Sequence, residues 1–282
     1  MKLREIYSKN LELFRLNNID FPENEVRFLV CELLGISSAE FFIRYDDIID
    51  GDKVLEIKNA VSRRLKGEPL QYIIGSWDFM GRTFNVGKGV LIPRPETELL
   101  CLKISEILKN KKNAVVYDLC SGSGCIGITL KCEHPDIELY MIEKSEDALV
   151  YLEKNVESLC ENKGYTVIKG DILKIDDFKN LPKADIIVSN PPYIRSNEVS
   201  FLQKEVTYEP KMALDGGEDG LIFYRYIIEN WSLLLKGNGE FFFEIGEDQG
   251  EDVSLILNNA GFDSFVIKDY NNHDRIVNGR KA

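Results

Sequence analysis

The chain has 282 residues, of which 44% are hydrophobic and 29% are charged, as in an ordinary globular protein. Its net charge of −12 opposes binding to phosphate backbones, so the composition argues against a general nucleic-acid-binding protein. The six cysteines include no C-x-x-C pair, and the chain has two histidines, a pattern that indicates neither a disulfide framework nor a zinc site. We therefore expect reduced thiols and no metal.

The first residues, MKLREIYSKNLELF, alternate charged and apolar side chains and lack the continuous apolar stretch of a signal peptide. No apolar run of the sequence approaches the roughly 18 residues that are needed to span a bilayer. We therefore expect a cytoplasmic protein that is not attached to a membrane.

Three regions follow one another along the chain. Residues 1–75 show consecutive helical patterns with no strand signal, which predicts a small helical bundle. Residues 76–92 contain short alternating runs broken by glycines, which predicts a β-hairpin that acts as a linker. Residues 93–282 begin with a helix at PRPETELL and then alternate strand-like and helix-like segments. This alternation predicts an α/β domain with a mainly parallel sheet and helices on both of its faces.

The first predicted strand of that domain runs into a glycine-rich turn, DLCSGSGCIG at 118–127. Gly122, Gly124 and Gly127 match G-x-G-x-x-G, a pattern that allows a ligand to approach the backbone between a strand and a helix. Asp118 precedes the glycines, and a carboxylate there suits a ligand with an amino group or a positive charge better than a pyrophosphate. This favours S-adenosylmethionine over a dinucleotide, with a purely structural acid at the strand end as the alternative.

Two further acidic residues follow predicted strands. Glu143 ends the second strand, about 20 residues after the turn, where a carboxylate would accept hydrogen bonds from ribose hydroxyls. Asp171 and Ile172 follow the third strand, where an adenine ring would meet a carboxylate and an apolar wall. Because open α/β sheets bind ligands at the carboxyl ends of their strands, we expect these residues to form one cofactor site.

The fourth predicted strand ends in Asn-Pro-Pro-Tyr, residues 190–193. The Asn190 side-chain oxygen and the Pro191 carbonyl can accept the two hydrogens of a planar NH2 group as positive charge develops on its nitrogen. Pro191 and Pro192 stiffen the loop, and Tyr193 can stack on the planar group. We therefore predict that Asn190, Pro191 and Tyr193 are catalytic and that all four residues bind the substrate. The alternative is a rigid loop without such a role.

Two smaller sets of residues have ambiguous patterns. Arg94 and Thr97, in PRPETE, either line the cleft or mark a plain helix start. Phe79 and Phe84 either form a wall for the substrate or fill the core of the hairpin. The sequence leaves both choices open.

Several of these motifs occur in the same order in a known family. The sequence resembles the release-factor glutamine methyltransferases (HemK/PrmC family), S-adenosylmethionine-dependent class I enzymes that methylate a glutamine side chain in class I peptide-chain release factors. The resemblance covers nearly the whole chain. It rests on GEPLQYIIGSWDFMGRTFNV at 67–86, VLIPRPETE at 90–98, DLCSGSGCIG at 118–127, SNPPYI at 189–194 and YEPKMALDGGEDGL at 208–221.

The resemblance implies a Rossmann-like seven-stranded methyltransferase sheet, joined by the hairpin to a helical domain that recognises the substrate. It implies S-adenosyl-L-methionine as the cofactor, the glutamine amide nitrogen N5 as the methyl acceptor and class I release factors as the protein partners of a monomer. It assigns the following residues to the cofactor: Cys120, Ser121, Gly122, Ser123, Gly124, Glu143, Ile172 and Asn190. The family usually has glycine at the position of Cys120, so a positive φ there would cost free energy.

Two other functions stay open at this point. An amino-methyltransferase that acts on adenine N6 or guanine N2 of a nucleic acid would use the same loop. Flipping a base requires phosphate contacts, however, which the acidic composition disfavours. A non-catalytic adaptor with this fold would have lost the turn or the tetrapeptide, and only Cys120 departs from the pattern. We therefore expect a methyltransferase that does not bind nucleic acid stably.

Overall fold

The computed structural model describes residues 1–161 and 164–281. They divide into two compact units, of which the first comprises Met1–Ser76 and Lys204–Tyr208 and the second comprises Trp77–Gln203 and Glu209–Ala282. The short segment Lys204–Tyr208 thus belongs to the N-terminal unit, although it follows the Asn-Pro-Pro-Tyr loop in the sequence. No local pattern indicated this assignment.

The N-terminal unit is helical, as the sequence predicts. Its helices bury apolar stripes that include Phe14, Leu29, Phe41 and Ile57 in one common core. The helices are α1 (Leu3–Leu16), α2 (Pro22–Leu34), α3 (Ser38–Ile43), α4 (Gly51–Leu65) and α5 (Leu70–Ile74).

A buried arginine connects the distant segment to these helices. Arg64 of α4 is 2% exposed, and its Nε lies 2.7 Å from Glu25 Oε2 of α2. Its Nη2 lies 2.6 Å from Glu205 Oε1. Because a buried guanidinium requires paired carboxylates, these contacts fix Lys204–Tyr208 on the N-terminal unit.

The predicted hairpin is present and consists of β1 (Ser76–Phe79) and β2 (Arg82–Asn85). The rings of Phe79 and Phe84 are almost fully buried and meet edge to face, with centroids 6.0 Å apart. These two residues belong to a hydrophobic cluster that also contains Leu99 and Ile126, so they are core residues rather than a wall for the substrate.

The second unit contains the predicted seven-stranded sheet, in the order β5-β4-β3-β6-β7-β9-β8. The strands β3 to β7 are parallel where they pair, and β9 runs antiparallel to β7 and β8. The fold class is therefore confirmed. The strands are β3 (Val115–Leu119), β4 (Glu138–Glu143), β5 (Tyr165–Lys169), β6 (Ala184–Ser189), β7 (Leu235–Glu244), β8 (Phe262–Lys268) and β9 (Asp274–Lys281).

Helices cover both faces of this sheet, and one of them departs from regular α-helical geometry. They are α6 (Pro95–Leu108), α7 (Cys125–Glu133), α8 (Glu146–Leu159), α9 (Ile222–Tyr226) and α10 (Gly250–Asn259). The helix α9 does not continue as an α-helix, because the chain widens after Tyr226 into a π-helical turn, Ile227–Trp231. This turn places the buried Trp231 so that its Nε1 donates to the Ile172 carbonyl at 2.9 Å.

Strand alternation assigns side chains to the two faces of the sheet. Tyr117 and Leu119 pack into one hydrophobic cluster, and Val116 packs into the other. In β7, Phe243 belongs to the first cluster and Phe242 to the second. The acids at Asp118 and Glu244 therefore point to the second face, which α6 and α7 cover.

Among the helices of residues 1–161 and 164–281, none has the length and apolar character needed to cross a bilayer.

Candidate active site

A cavity of about 280 Å³ opens at the carboxyl ends of β3, β4, β5 and β6 in the second unit. This is the edge at which open α/β sheets bind ligands. The sequence-predicted residues that line the cavity are Cys120, Ser121, Gly122, Ser123, Glu143, Asp171, Ile172, Asn190 and Pro192. Asp118, Gly124, Pro191 and Tyr193 do not line it.

The glycine-rich turn connects β3 to α7. Its backbone has positive φ at Cys120 (62°), Gly122 (56°) and Gly124 (79°). At Gly124 a Cβ atom would come within 2.4 Å of Leu152 Cδ1, so a larger residue would displace that side chain. Cys120 has the same left-handed backbone conformation although it carries a side chain. This conformation costs free energy, as expected for a residue other than glycine at this position.

The Glu143 carboxylate fixes the turn from the neighbouring strand. Its Oε2 accepts a hydrogen bond from the Gly122 N–H at 2.8 Å, and its Oε1 accepts one from the Ser145 N–H at 2.7 Å. Glu143 is 8% exposed and lines the cavity. Since a carboxylate has about four acceptor positions, the group can still accept hydrogen bonds from hydroxyls in the cavity.

Asp118 lies beneath the turn and is fully buried. Its Oδ2 accepts a hydrogen bond from the Gly127 N–H at 3.0 Å, and a Cβ atom at Gly127 would come within 2.9 Å of that oxygen. Burial raises the pKa of Asp118 to about 7. The negative charge of Glu143 also raises this pKa, whereas the hydrogen bond from the Gly127 N–H lowers it. Asp118 therefore supports the turn through the Gly127 N–H, its Oδ1 is buried without a hydrogen-bond partner among the described residues, and its contact with a ligand stays a prediction.

Asp171 and Ile172 follow β5 and line the cavity as expected. Asp171 Oδ2 pairs with Lys144 Nζ at 2.9 Å, and its Oδ1 accepts from the Leu173 N–H at 3.1 Å. Burial raises the pKa of Asp171, but Lys144 and the Leu173 N–H outweigh it and leave this pKa below the ordinary value. Ile172 adds an apolar wall, which the bond from Trp231 holds in place.

The Asn-Pro-Pro-Tyr loop begins directly after β6. Asn190 lines the cavity next to Thr97, with 3.4 Å between its Nδ2 and the Thr97 Oγ1. Arg94 also lines the cavity, so Arg94 and Thr97 belong to the cleft. Tyr193 is half-buried against the hydrophobic core, and burial raises the pKa of its phenol.

The Tyr193 backbone is held from outside the loop. The Gln249 side chain, 2% exposed, donates from Nε2 to the carbonyls of Tyr193 at 3.0 Å and Gly220 at 3.3 Å. A Cβ atom at Gly216 would come within 2.7 Å of the Pro192 carbonyl oxygen, so only glycine allows this close approach. These contacts stabilise the loop although they are distant in the sequence.

Two buried acids at the cavity were missed in the sequence. Glu209 accepts a hydrogen bond from the Ile92 N–H at 3.1 Å and pairs with Arg94, which connects the segment before α6 to the segment after the loop. Glu244 ends β7 and is 1% exposed. A glutamate at the end of the apolar run GEFFFEIG was a usable signal, because an acid in a buried strand is rare without a role.

Two family models match the chain. One is described as the PrmC N-terminal domain and matches residues 8–75, and the other is described as the methyltransferase small domain and matches residues 97–221. Among solved structures, the T. thermophilus 16S rRNA N2 methyltransferase in complex with AdoMet and guanosine has a TM-score of 0.52 at 18% identity. The similarity covers 73% of this chain and 50% of that chain, and it shows a shared fold.

Curated relatives match over nearly the whole length. The release factor glutamine methyltransferase of Thermodesulfovibrio yellowstonii is 39% identical, over 98% of this chain and 95% of the relative. The enzyme of the same name from Clostridium acetobutylicum is 35% identical, over 98% of both chains. The chain belongs to the family of release factor glutamine methyltransferases.

Proposed function

We propose that this protein transfers a methyl group from S-adenosylmethionine to the side-chain amide nitrogen N5 of a glutamine in class I peptide-chain release factors. The observation that carries the proposal is that one cavity is lined both by the glycine-rich turn with Glu143 and by Asn190. The first set of residues suits the cofactor and the second suits a planar amide. Family membership supports the same reaction.

The residues of the cavity fit this cofactor. Glu143 provides a carboxylate for the ribose hydroxyls, and Asp171 with Ile172 provides an acceptor and an apolar surface for adenine. Above Gly122 there is open space, since a Cβ atom there would have one neighbour, Val90 Cγ2 at 4.0 Å. The cavity can therefore admit a ligand against the backbone of the turn. We propose that Asp118 and Gly124 maintain the conformation of this turn.

When bound, the cofactor supplies a methyl group activated by a positively charged sulfur. The task left to the protein is to present an amide nitrogen whose lone pair is delocalised. The Asn190 side-chain oxygen accepts one amide hydrogen, so its dipole stabilises the positive charge that develops on nitrogen. Acceptance of the other hydrogen by the Pro191 carbonyl stays a prediction, because Pro191 does not line the cavity. On transfer, the electron pair of the broken bond would stay on the sulfur, and Asn190 would hold the methylated nitrogen until it loses one proton to water. Alignment of nitrogen, methyl and sulfur lowers the activation barrier further, and such alignment can contribute about 7 to 11 kcal/mol.

We assign further roles within the same proposal. Pro191 and Pro192 keep the loop stiff, and the stacking of Tyr193 on the amide stays a prediction, because its ring packs on the core. The helical domain, residues 1–75, recognises the release factor, the hairpin 76–92 links it to the methyltransferase domain 93–282, and the protein acts as a monomer in the cytoplasm. The acidic composition agrees with a protein partner rather than a nucleic acid.

Transfer of radiolabel from S-adenosylmethionine tests the proposal. The purified protein is incubated with a class I release factor, with the same factor carrying a substituted glutamine, with duplex DNA and with ribosomal RNA. We expect label on the unmodified release factor alone. Label on either nucleic acid would instead support the amino-methyltransferase alternative, and cofactor binding without any labelled product would support an adaptor.

A further inference from the structure

We propose that Glu244 is a positioning residue that turns the Asn190 side-chain oxygen towards the cavity, and that protonation of Glu244 releases this orientation. The inference rests on the proposed function, because it concerns the way in which Asn190 accepts the substrate amide. It adds to that function a residue outside the cavity wall and a dependence on pH.

The strand register brings the two side chains together. Ser189 of β6 lies opposite Phe243 of β7, so the next residues along the two parallel strands, Asn190 and Glu244, are neighbours. Asn190 and Thr97 line the cavity, whereas Glu244 is 1% exposed and does not line it. Glu244 therefore lies behind the acceptor residue, and it can act on a substrate only through Asn190 or Thr97.

The chemistry of a carboxylate determines which end of the amide it binds. An ionised carboxylate accepts hydrogen bonds and cannot donate them, so it selects the Nδ2 end of Asn190. Asn190 and Glu244 are adjacent in the strand register, and hydrogen bonding from Thr97 and Asn190 lowers the pKa of the Glu244 carboxyl group. The Asn190 Nδ2 also lies 3.4 Å from the Thr97 Oγ1. With Nδ2 held on this side, Oδ1 remains free to accept a hydrogen from the substrate.

Protonation would remove that selection. A neutral carboxyl group carries one O–H donor, and this donor can bind Asn190 Oδ1. The carboxyl group then no longer selects Nδ2 over Oδ1. The amide could then turn its Nδ2 towards the cavity, where a donor would face the hydrogens of the substrate amide. Among the described residues, Glu244 Oε2 is buried and has no hydrogen-bond partner, so a proton can be placed there without breaking a contact.

The surroundings of Glu244 bring this protonation into the neutral range. Burial raises the pKa of Glu244 to about 7. Thr97 and Asn190 lower it by hydrogen bonding, Arg275 of β9 lowers it by its charge, and Glu96 of α6 raises it. The other titratable groups that face it are Tyr193, Tyr224, Cys101 and Cys125. Arg275 is thus the cation that favours the ionised form.

The first test replaces Glu244 by glutamine, which has the same shape but can turn either a donor or an acceptor to Asn190. The matched control is Glu240→Gln. Glu240 is another buried glutamate of β7, but it pairs with Asn278 and Arg280, away from the cavity. Turnover at saturating cofactor and release factor is measured between about pH 5.5 and pH 8.5, a range that includes the acid limb of a group near pH 7.

We expect wild type and Glu240→Gln to lose turnover below about pH 7 with the same profile. We expect Glu244→Gln to be slower by about 10- to 100-fold at pH 8, as for residues that orient a reacting group, and to lack this limb. Its dissociation constant for the cofactor, measured by calorimetry, should equal that of wild type. A wild-type rate or an unchanged acid limb in Glu244→Gln would overturn the inference.

The second readout does not depend on turnover. Because the folded state holds the Glu244 proton up to about pH 7 and the unfolded state releases it near the ordinary value, this residue destabilises the fold as pH rises between the two. The melting temperature of Glu244→Gln should therefore rise relative to that of wild type as the pH increases from 5 to 8. A difference between the two melting temperatures that stays constant over this range would contradict the inference. If wild type itself methylates no release factor, the proposed function has failed, which differs from a failure confined to the Glu244 variant.

Discussion

The glycine-rich turn and the Asn190 loop line the same cavity, but different parts of the chain support them. On the turn side, Glu143 binds the N–H groups of Gly122 and Ser145, so acceptor and donors all belong to β3, β4 and the turns that follow them. On the other side, Asn190 contacts Thr97 through its Nδ2 and lies next to Glu244 in the strand register, and both residues lie far from it in the sequence. The turn is thus a local structure, and the Asn190 loop depends on tertiary contacts.

This difference suggests a division of work between the two sides. The turn offers a preformed surface to the cofactor, so changes there should affect the dissociation constant of the cofactor. The Asn190 loop meets the nitrogen that becomes charged, so changes there should affect turnover. A substitution can therefore be assigned to one of the two sides by whether it alters the dissociation constant of the cofactor or the turnover.

The largest effect is expected for Asn190→Ala. This change removes an acceptor that is used mainly in the transition state, so turnover should fall roughly 10³-fold, or about 4 kcal/mol, while cofactor affinity is retained. Single-turnover rates and calorimetric titration with the cofactor would measure the two quantities. Asn259→Ala, at the exposed end of α10, is the control and should behave as wild type. Equal losses of affinity and turnover in Asn190→Ala would remove the distinction between the two sides.

A smaller effect with the opposite signature is expected for Glu143→Ala. Loss of a carboxylate that binds ribose hydroxyls should weaken cofactor binding by about 100-fold, because each hydrogen bond to a charged group contributes about 1.5 to 3 kcal/mol. Turnover at saturating cofactor should change far less. Glu146→Ala removes a nearby exposed carboxylate that pairs with Lys169, and its dissociation constant should not change. An unaltered constant in Glu143→Ala would contradict the assignment of Glu143.

The contrast between local and tertiary support also explains what could be predicted from the sequence. Alternating apolar segments and the glycine spacing predicted the sheet and the turn, since both are local patterns. Strand alternation turns Asp118 under Gly127, outside the cavity lining, which the motif alone did not indicate. Glu209, Glu244 and the segment Lys204–Tyr208 act through partners that only the fold brings near them, so no local pattern could assign their contacts.

Asp118→Asn tests the buried acid of the turn through stability. The folded state keeps the Asp118 proton up to a pKa of about 7, whereas the unfolded state releases it near 3.8. Wild type should therefore lose stability relative to the variant as pH rises from 5 to 8, by about 2 kcal/mol, since one pKa unit corresponds to about 1.4 kcal/mol. Urea unfolding at both pH values measures the difference. A constant gap between the two proteins would show that Asp118 does not hold this proton.

The smallest effect is expected at Cys120, whose φ is 62°. A side chain in the left-handed region costs about 1 to 2 kcal/mol, and glycine removes this cost but adds about 0.5 to 1 kcal/mol of unfolded-chain entropy. Cys120→Gly also loses the packing of the sulfur atom on the core, so we expect a net change in unfolding free energy below about 1 kcal/mol.

Cys120→Ala separates the backbone contribution from the loss of the sulfur atom. Alanine keeps the left-handed cost and also loses the sulfur, so the alanine variant should be less stable than the glycine variant in urea unfolding. Because both variants leave Glu143 and the N–H of Gly122 in place, their cofactor dissociation constants should stay close to that of wild type. An alanine variant that is more stable than the glycine variant by about 0.5 to 1 kcal/mol would show that the turn holds no strain at Cys120. A large loss of cofactor affinity in Cys120→Gly but not in Cys120→Ala would show that a side chain at this position orders the turn together with the Glu143 contacts.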